Sequence, residues 1–266
     1  MSQTLSPDLS VAEIRSYFVR NRNALLVRGQ FGPLYMDYYL HLMQHGLKYN
    51  DRLDQMLKDT LAAVALHLCS RPQDESCAWT INLRDPLVNL FVTGSSRPSR
   101  VTGRIFTEDV RDSGKSLFIA QTTRPHMQPR QSMIEMTDSN DMLVAVENFY
   151  TQSEQRLTRT FRLPDEDFVQ ICAEPDCDED WLRGLTDADI PNLDKAEHLT
   201  LLETRGYVFD CGCTADRMFP MLNRLNQDDL DYVFTDGEAT ITCPRCAAVF
   251  HTPRSAFDEW QARQNA

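Results

Sequence analysis

ITCPRCAAVFH, Ile241 to His251, sets Cys243 and Cys246 two residues apart between apolar flanks. Such a pair is a redox dithiol or half of a metal site. A thioredoxin-type dithiol places its first cysteine at a helix N-terminus, where the dipole lowers the thiol pKa. Here the flanks read as strands. Ala239 to Thr242 leads into the cysteines, Ala247 to His251 leads out, and Asp236-Gly237 marks the preceding turn. A second pair, Cys211-Gly212-Cys213, lies 29 residues upstream. Two pairs supply four thiolates, and four sulfurs suit tetrahedral zinc. The segment from Tyr207 to Trp260 is small for an unaided core, and a structural zinc ion supplies ~10–16 kcal/mol of folding energy in small peptides. From spacing alone, a purely structural zinc ribbon is the preferred reading. His251 is a competing ligand, but with four cysteines at hand it reads as an ordinary strand residue.

Working outward, Thr214 is placed to cap a helix bearing Met218, Met221, Leu222 and Leu225. Asn226 caps a second through Tyr232 and Phe234, and Thr252-Pro253 opens a last one with Phe257 and Trp260. Upstream, residues 174–197 carry nine acidic and two basic side chains, most of the net charge of −12. This stretch reads as a solvated acidic connector. Trp181, Leu182 and Leu185, then Leu193, Ala196, Leu199 and Leu202, predict two short helices, the second started by Pro191 and stopped by Gly206. Their apolar stripes need a surface to cover, and charge repulsion leaves them marginal when undocked.

Before the connector the pattern is mixed. Ala24 to Val27 reads as a strand, Pro33 to Met43 as an aromatic-rich helix, and Asn50 as the cap of a helix carrying Leu53 to Leu68. Strands are predicted at Ala78–Leu83, Val88–Val92, Arg100–Phe106 and Ser116–Gln121, a helix at Asp141–Gln152, and strands at Thr158–Leu163 and Asp167–Cys172. The expected fold class is α+β: an N-terminal α/β core domain over residues 1–173, a metastable helical acidic linker over 174–206, and a small four-cysteine zinc domain over 207–266.

Composition narrows the function. No Gly-rich phosphate loop, basic nucleic-acid footprint, signal peptide or membrane-spanning run is found, so a cytoplasmic protein is expected, with no nucleic-acid or membrane partner. In a reducing cytoplasm, eight clustered cysteines favour metal or redox chemistry over static disulfides. None of the six histidines sits in a hydrolase motif. His41 and His45 share a helix face at a spacing that can bind metal, but read as surface histidines near tyrosines. Met127, Met133 and Met136 suit an adaptable binding surface, but read as loop and strand packing. Cys172 and Cys177 read as incidental, with a third redox pair as the alternative.

The Cys-x-Cys, the capped helix, the acidic helix, the turn and the Cys-x-x-Cys with its strand resemble, in order and spacing, the heat-shock protein 33 family of redox-regulated holdase chaperones. Phe149-Tyr150-Thr151-Gln152-Ser153-Glu154-Gln155 is similar to that family's aromatic helix, and Val27-Arg28-Gly29 to its first strand. The chain departs from the family at Arg84-Asp85-Pro86, where a Gly-Asp-Gly turn is usual, in Asp167–Cys172, and in a short connector. The resemblance implies a non-enzymatic, ATP-independent chaperone. One zinc ion per reduced chain is held by Cys211, Cys213, Cys243 and Cys246. Oxidation by peroxide with unfolding conditions, or by hypochlorous acid, pairs Cys211 with Cys213 and Cys243 with Cys246, releases zinc, loosens the linker and exposes surface for unfolding client proteins. The oxidised form tends to a homodimer. Two other functions stand beside it: a non-switching zinc-stabilised adaptor that keeps the fold, and a thiol–disulfide oxidoreductase using Cys243 and Cys246.

Overall fold

Burial alternates from residue 12 onward, with Ala12, Ile14 and Ser16 turned inward, and this stretch forms strand β1 (Ala12–Val19). The structure, a computed structural model, describes residues 10–136 and 140–264. A tight turn leads to β2 (Ala24–Gln30), then α1 (Gly32–Gln44) and α2 (Asp51–Cys69). Asn50 caps α2, its Oδ1 accepting from Leu53 N at 3.0 Å. Next come β3 (Ser76–Arg84), β4 (Leu87–Ser96), β5 (Ser99–Phe106), β6 (Leu117–Thr123), β7 (Arg130–Glu135), α3 (Met142–Gln152), β8 (Thr158–Leu163) and β9 (Asp167–Ala173).

These strands build one ten-stranded sheet, ordered β7-β6-β3-β4-β5-β10-β1-β2-β9-β8. The strand β10 (Leu199–Phe209) is its seam. It runs antiparallel to β1 over most of its length and parallel to β5 only at Val208–Arg100 and Phe209–Val101. Two antiparallel halves are thus joined by the last residues before the first cysteine pair. On one face, α1, α2 and α3 bury a large apolar core around Trp79, Phe118, Phe149 and Tyr38. No helix among the described residues is long and apolar enough to cross a membrane.

Helices α4 (Glu179–Gly184) and α5 (Leu193–Ala196) lie on the other face. Their Leu182, Leu185 and Leu193, with Ile190 between them, pack on Leu26, Phe161, Leu163, Val169 and Ile171. Each fully buried side chain of this kind is worth ~1.5–3 kcal/mol. Arg22, in the β1–β2 turn, pairs with Asp178 at 2.6 Å and Glu197 at 3.0 Å, and its guanidinium lies 5.4 Å over Trp181. Part-exposed pairs contribute ~1 kcal/mol or less, so apolar contact dominates the docking and Arg22 fixes its ends. The expected second connector helix stops early. It ends at Ala196, Glu197 is extended, and Leu199 onward is strand, so residues assigned to the linker and to the start of the zinc domain belong to the core sheet. Eight backbone pairings with β1 outweigh a leucine spacing that a helix would also satisfy.

Beyond β10, α6 (Ala215–Leu222), α7 (Gln227–Val233), the hairpin β11 (Glu238–Thr242) and β12 (Val249–Pro253), and α8 (Arg254–Gln264) enclose a small core of Phe219, Leu222, Leu230, Phe234, Ala239, Ile241 and Phe257. Thr214 and Asn226 cap α6 and α7 as their sequence positions predict.

Beneath α2 lies a buried polar network. His67 Nδ1 is 2.7 Å from Tyr150 Oη, which also accepts from Gln170 Nε2 at 2.8 Å. Burial, then the charges of Arg71, Arg130 and Arg156, hold the His67 pKa well below 6.5. The unfolded chain therefore binds a proton near pH 6.5 that the folded chain refuses, and stability falls as pH drops through that value. Asp59, pushed up to about 6 by burial, acts in the opposite sense between its ordinary value and 6. The difference between two proteins isolates the histidine. From pH 7 to pH 5, His67→Gln is expected to lose about 2 kcal/mol less unfolding free energy than the parent chain, by denaturant titration. Parallel pH profiles would show that His67 is not the group responsible.

Candidate metal centre

Strand β10 ends in the core with Tyr207, Val208 and Phe209 buried, and one residue later the chain reaches Cys211. Asp210 makes the turn. Its N–H donates to Val101 O at 3.1 Å, and its carboxylate accepts from Gly212 N at 2.7 Å and Arg100 Nη1 at 2.9 Å. Gly212 has φ +61°, a left-handed conformation that favours glycine between the two cysteines, and a Cβ there would also push on the mobile end of Arg100.

The second pair sits in the knuckle between β11 and β12. Cys243 N–H donates to Ala248 O at 2.8 Å, and Ala247 N–H to Cys243 O at 2.9 Å. Ala247 takes a positive φ of 63° to close the loop. The four sulfurs of Cys211, Cys213, Cys243 and Cys246 all lie within 4.8 Å of one another. Cys211 Sγ lies 3.7 Å from Cys243 Sγ and Cys213 Sγ lies 3.4 Å from Cys246 Sγ, contacts that join the two motifs. A tetrahedron with ~2.3 Å metal–sulfur bonds has edges of about 3.8 Å, and the donor set fits a thiophilic ion. Cys243 and Cys246 are buried and Cys213 half-buried. Hydrogen bonds from Cys211 and its neighbours pull Cys243 down, while the same crowding pushes Cys246 up. Four like charges at this separation need a cation among them.

The knuckle is pinned to the core domain. His41 Nε2–H donates to Cys246 O at 2.8 Å, and Val249 N–H donates to His45 Nδ1 at 3.2 Å. Arg104 Nη1, on β5, donates to Cys243 O at 3.2 Å. Burial holds the His41 pKa below 6.5, keeping the ring in its neutral, bonding form. The i, i+4 histidine spacing on α1 therefore serves to grip backbone. It was the available signal for this contact, but nothing in the spacing tells which polypeptide the face meets. His251 points elsewhere, 64% exposed and 3.3 Å from Glu238. Cys172 and Cys177 are not brought together: one lies in the helix-covered core and the other against the linker-covered face. Met136 is buried, whereas Met127 and Met133 are exposed.

The model of the Hsp33 protein family matches residues 175–253, from the start of the linker through the knuckle. That stretch, under a third of the chain, carries the Hsp33 family's sequence pattern. A 50-residue stretch is 48% identical to the 33 kDa chaperonin of Picosynechococcus sp., covering 18% of this chain and 17% of that protein's length. The Hsp33 fold extends over nearly everything else. The crystal structure of the 33 kDa chaperonin (heat shock protein 33 homolog) of Thermotoga maritima superposes with a TM-score of 0.70 at 13% identity, covering 95% of this chain and 98% of that one.

If the histidine face carries the docking, His41→Ala leaves Cys246 O without its partner, a loss of ~1–3 kcal/mol. Native-state hydrogen exchange should then show the opening free energy of the Ala247 and Val249 amides reduced by that amount, with α2 amides unchanged. Equal protection in both proteins would mean the knuckle is held without His41.

Proposed function

We propose that this protein belongs to the Hsp33 family and is a redox-regulated, ATP-independent holdase whose resting form is locked by zinc on Cys211, Cys213, Cys243 and Cys246. The observation that carries the reading is the crosswise four-sulfur cluster at the end of the seam strand. Bound zinc would keep the four sulfurs deprotonated at neutral pH and supply folding energy to a unit with a core of seven buried side chains. The protein's own part is to bring the thiolates together through the Gly212 turn and the knuckle, and to hold both against α1 and β5.

Peroxide supplies the oxidant. One thiolate sulfur attacks the peroxide O–O bond, taking OH to become a sulfenic acid as hydroxide leaves. The second thiolate of the pair attacks that sulfur, the S–S bond forms, and a second hydroxide leaves. Each pair loses two electrons. Bonds within the motifs, Cys211 to Cys213 and Cys243 to Cys246, replace the crosswise contacts that join them. With an S–S bond of ~2.05 Å and sulfurs no more than 4.8 Å apart, the shift needed is under about 3 Å. The carboxy-terminal unit then loses its staple, and the linker, nine acids held by Arg22 and a few leucines, loosens next. What it uncovers is the sheet face of Leu26, Phe161, Leu163, Val169 and Ile171, which we assign to unfolding client proteins. Reduction reverses the sequence, and the oxidised form dimerises through the same exposed surface.

Light scattering of an aggregating client, with released zinc read in the same samples, tests this. The reduced, zinc-loaded protein should leave aggregation unchanged, and the peroxide-treated protein should suppress it as zinc leaves. Zinc release without suppression would overturn the holdase reading in favour of a zinc-stabilised adaptor. Arg22→Ala should reach half-maximal suppression at several-fold lower peroxide exposure. An unchanged threshold would show that the Arg22 pairs do not hold the linker.

A further inference from the structure

Beside the cysteine cluster, a cavity of about 500 Å3 opens between β4, β5 and the carboxy-terminal unit. Four arginines line it: Arg97 and Arg100 from the core, Arg217 from α6 and Arg245 from inside the knuckle. Among the described residues Asp210 is the one carboxylate in the lining, and Arg100 holds it at 2.9 Å. Arg97 donates to the neutral amide oxygen of Gln73 and reaches Asp74 at 3.7 Å, with the Arg97 and Asp74 side chains about two-thirds exposed (66% and 67%). Arg217 and Arg245 donate to the carbonyls of Gly212 and Cys211, which carry no formal charge. Thr102 also lines the cavity. It is 1% exposed, and its Oγ1 has no hydrogen-bond partner among the described residues. A buried hydroxyl without a partner costs ~1–3 kcal/mol, and a bound ion or water is one thing that satisfies such a group.

We propose that this cavity binds a small phosphate-bearing anion that clamps the cysteine unit to the core domain. Guanidinium forks match phosphate oxygens bidentately. A phosphate group offers at least three free oxygens and up to two charges, enough to engage arginines of both domains while accepting from Thr102; a carboxylate has two oxygens. The volume suits a free ion or a small phosphate ester, and the chain's net charge of −12 disfavours an extended polyanion. Because two arginines come from each side, the anion binds only the docked arrangement and stabilises it by mass action. It also stands over Cys211, which lines the same cavity. Phosphate level would thereby set how readily the cysteine unit leaves the core. The binding itself is independent of whether clients are held.

The test uses the full-length, reduced, metal-loaded protein with neither client nor oxidant. Its Tm and binding heat are measured with inorganic phosphate and, separately, with glucose 6-phosphate, against sodium chloride at equal ionic strength. The Tm should rise by about 3 °C or more at saturation, and alkylation of Cys211 should slow several-fold. Arg97→Gln and Arg217→Gln should each reduce the Tm rise to under about 1 °C with metal content unchanged. Arg97, being two-thirds exposed, keeps the test open if the other variant does not fold. A larger response to the sugar phosphate assigns the site to esters, and the reverse to the free ion. No shift with either probe, or an equal shift in Arg97→Gln, would overturn the proposal.

Discussion

Four ionisable sulfurs within 4.8 Å of one another cannot all carry charge unless a cation stands among them. The carboxy-terminal unit is arranged around that constraint. Its apolar core is small, its hairpin turns through a positive-φ alanine, and sulfur contacts join its two cysteine motifs. On the proposed reading, whatever satisfies the sulfurs holds the unit, and whatever removes their charge or joins them differently releases it. The contacts to the core are made at the knuckle's own backbone, to Cys243 O, Cys246 O and Val249 N, so loss of knuckle geometry is felt at once across the domain boundary.

The proposed switch takes the rest of the chain to be graded in stability from that point. β10 passes from the sulfur cluster into the seam of the sheet, with its last three residues buried and its first half mostly open to solvent. The linker helices are short, acidic and held by a few leucines against strands that are complete without them. The helix-covered core, with α2 buried along almost its whole length, depends on neither. On the proposed reading, a disturbance at the sulfurs has a route to the linker and to the apolar sheet face, while the main core keeps its packing.

Much of this was legible in the residues. Strict alternation around Asp236-Gly237 and the Cys-x-x-Cys placed the hairpin and knuckle, and Asn50, Thr214 and Asn226 marked helix starts by their capping chemistry. What escaped reading was long-range. Residues 12–19 alternate, but their pattern acquires meaning only beside β2 and β10. Leu199 and Leu202 satisfy a helical spacing, yet the chain there is a strand because β1 offers it a ladder. β7, at the sheet edge, is short and polar, so it carries little periodic signal of its own. His41 and His45 announced a shared face but not the backbone it meets. The four arginines around Thr102 come from three separate stretches of chain, the β4–β5 hairpin, α6 and the knuckle, and converge only in three dimensions.

The central claim is that stability is layered outward from the sulfurs. Hydrogen exchange of the reduced, metal-loaded protein, compared with the same protein after peroxide, tests it most directly. Amides of β11, β12 and the linker helices should lose protection on oxidation, while those of α2 and β3 to β5 keep theirs. Retained protection in the linker, or simultaneous loss in α2, would contradict the account.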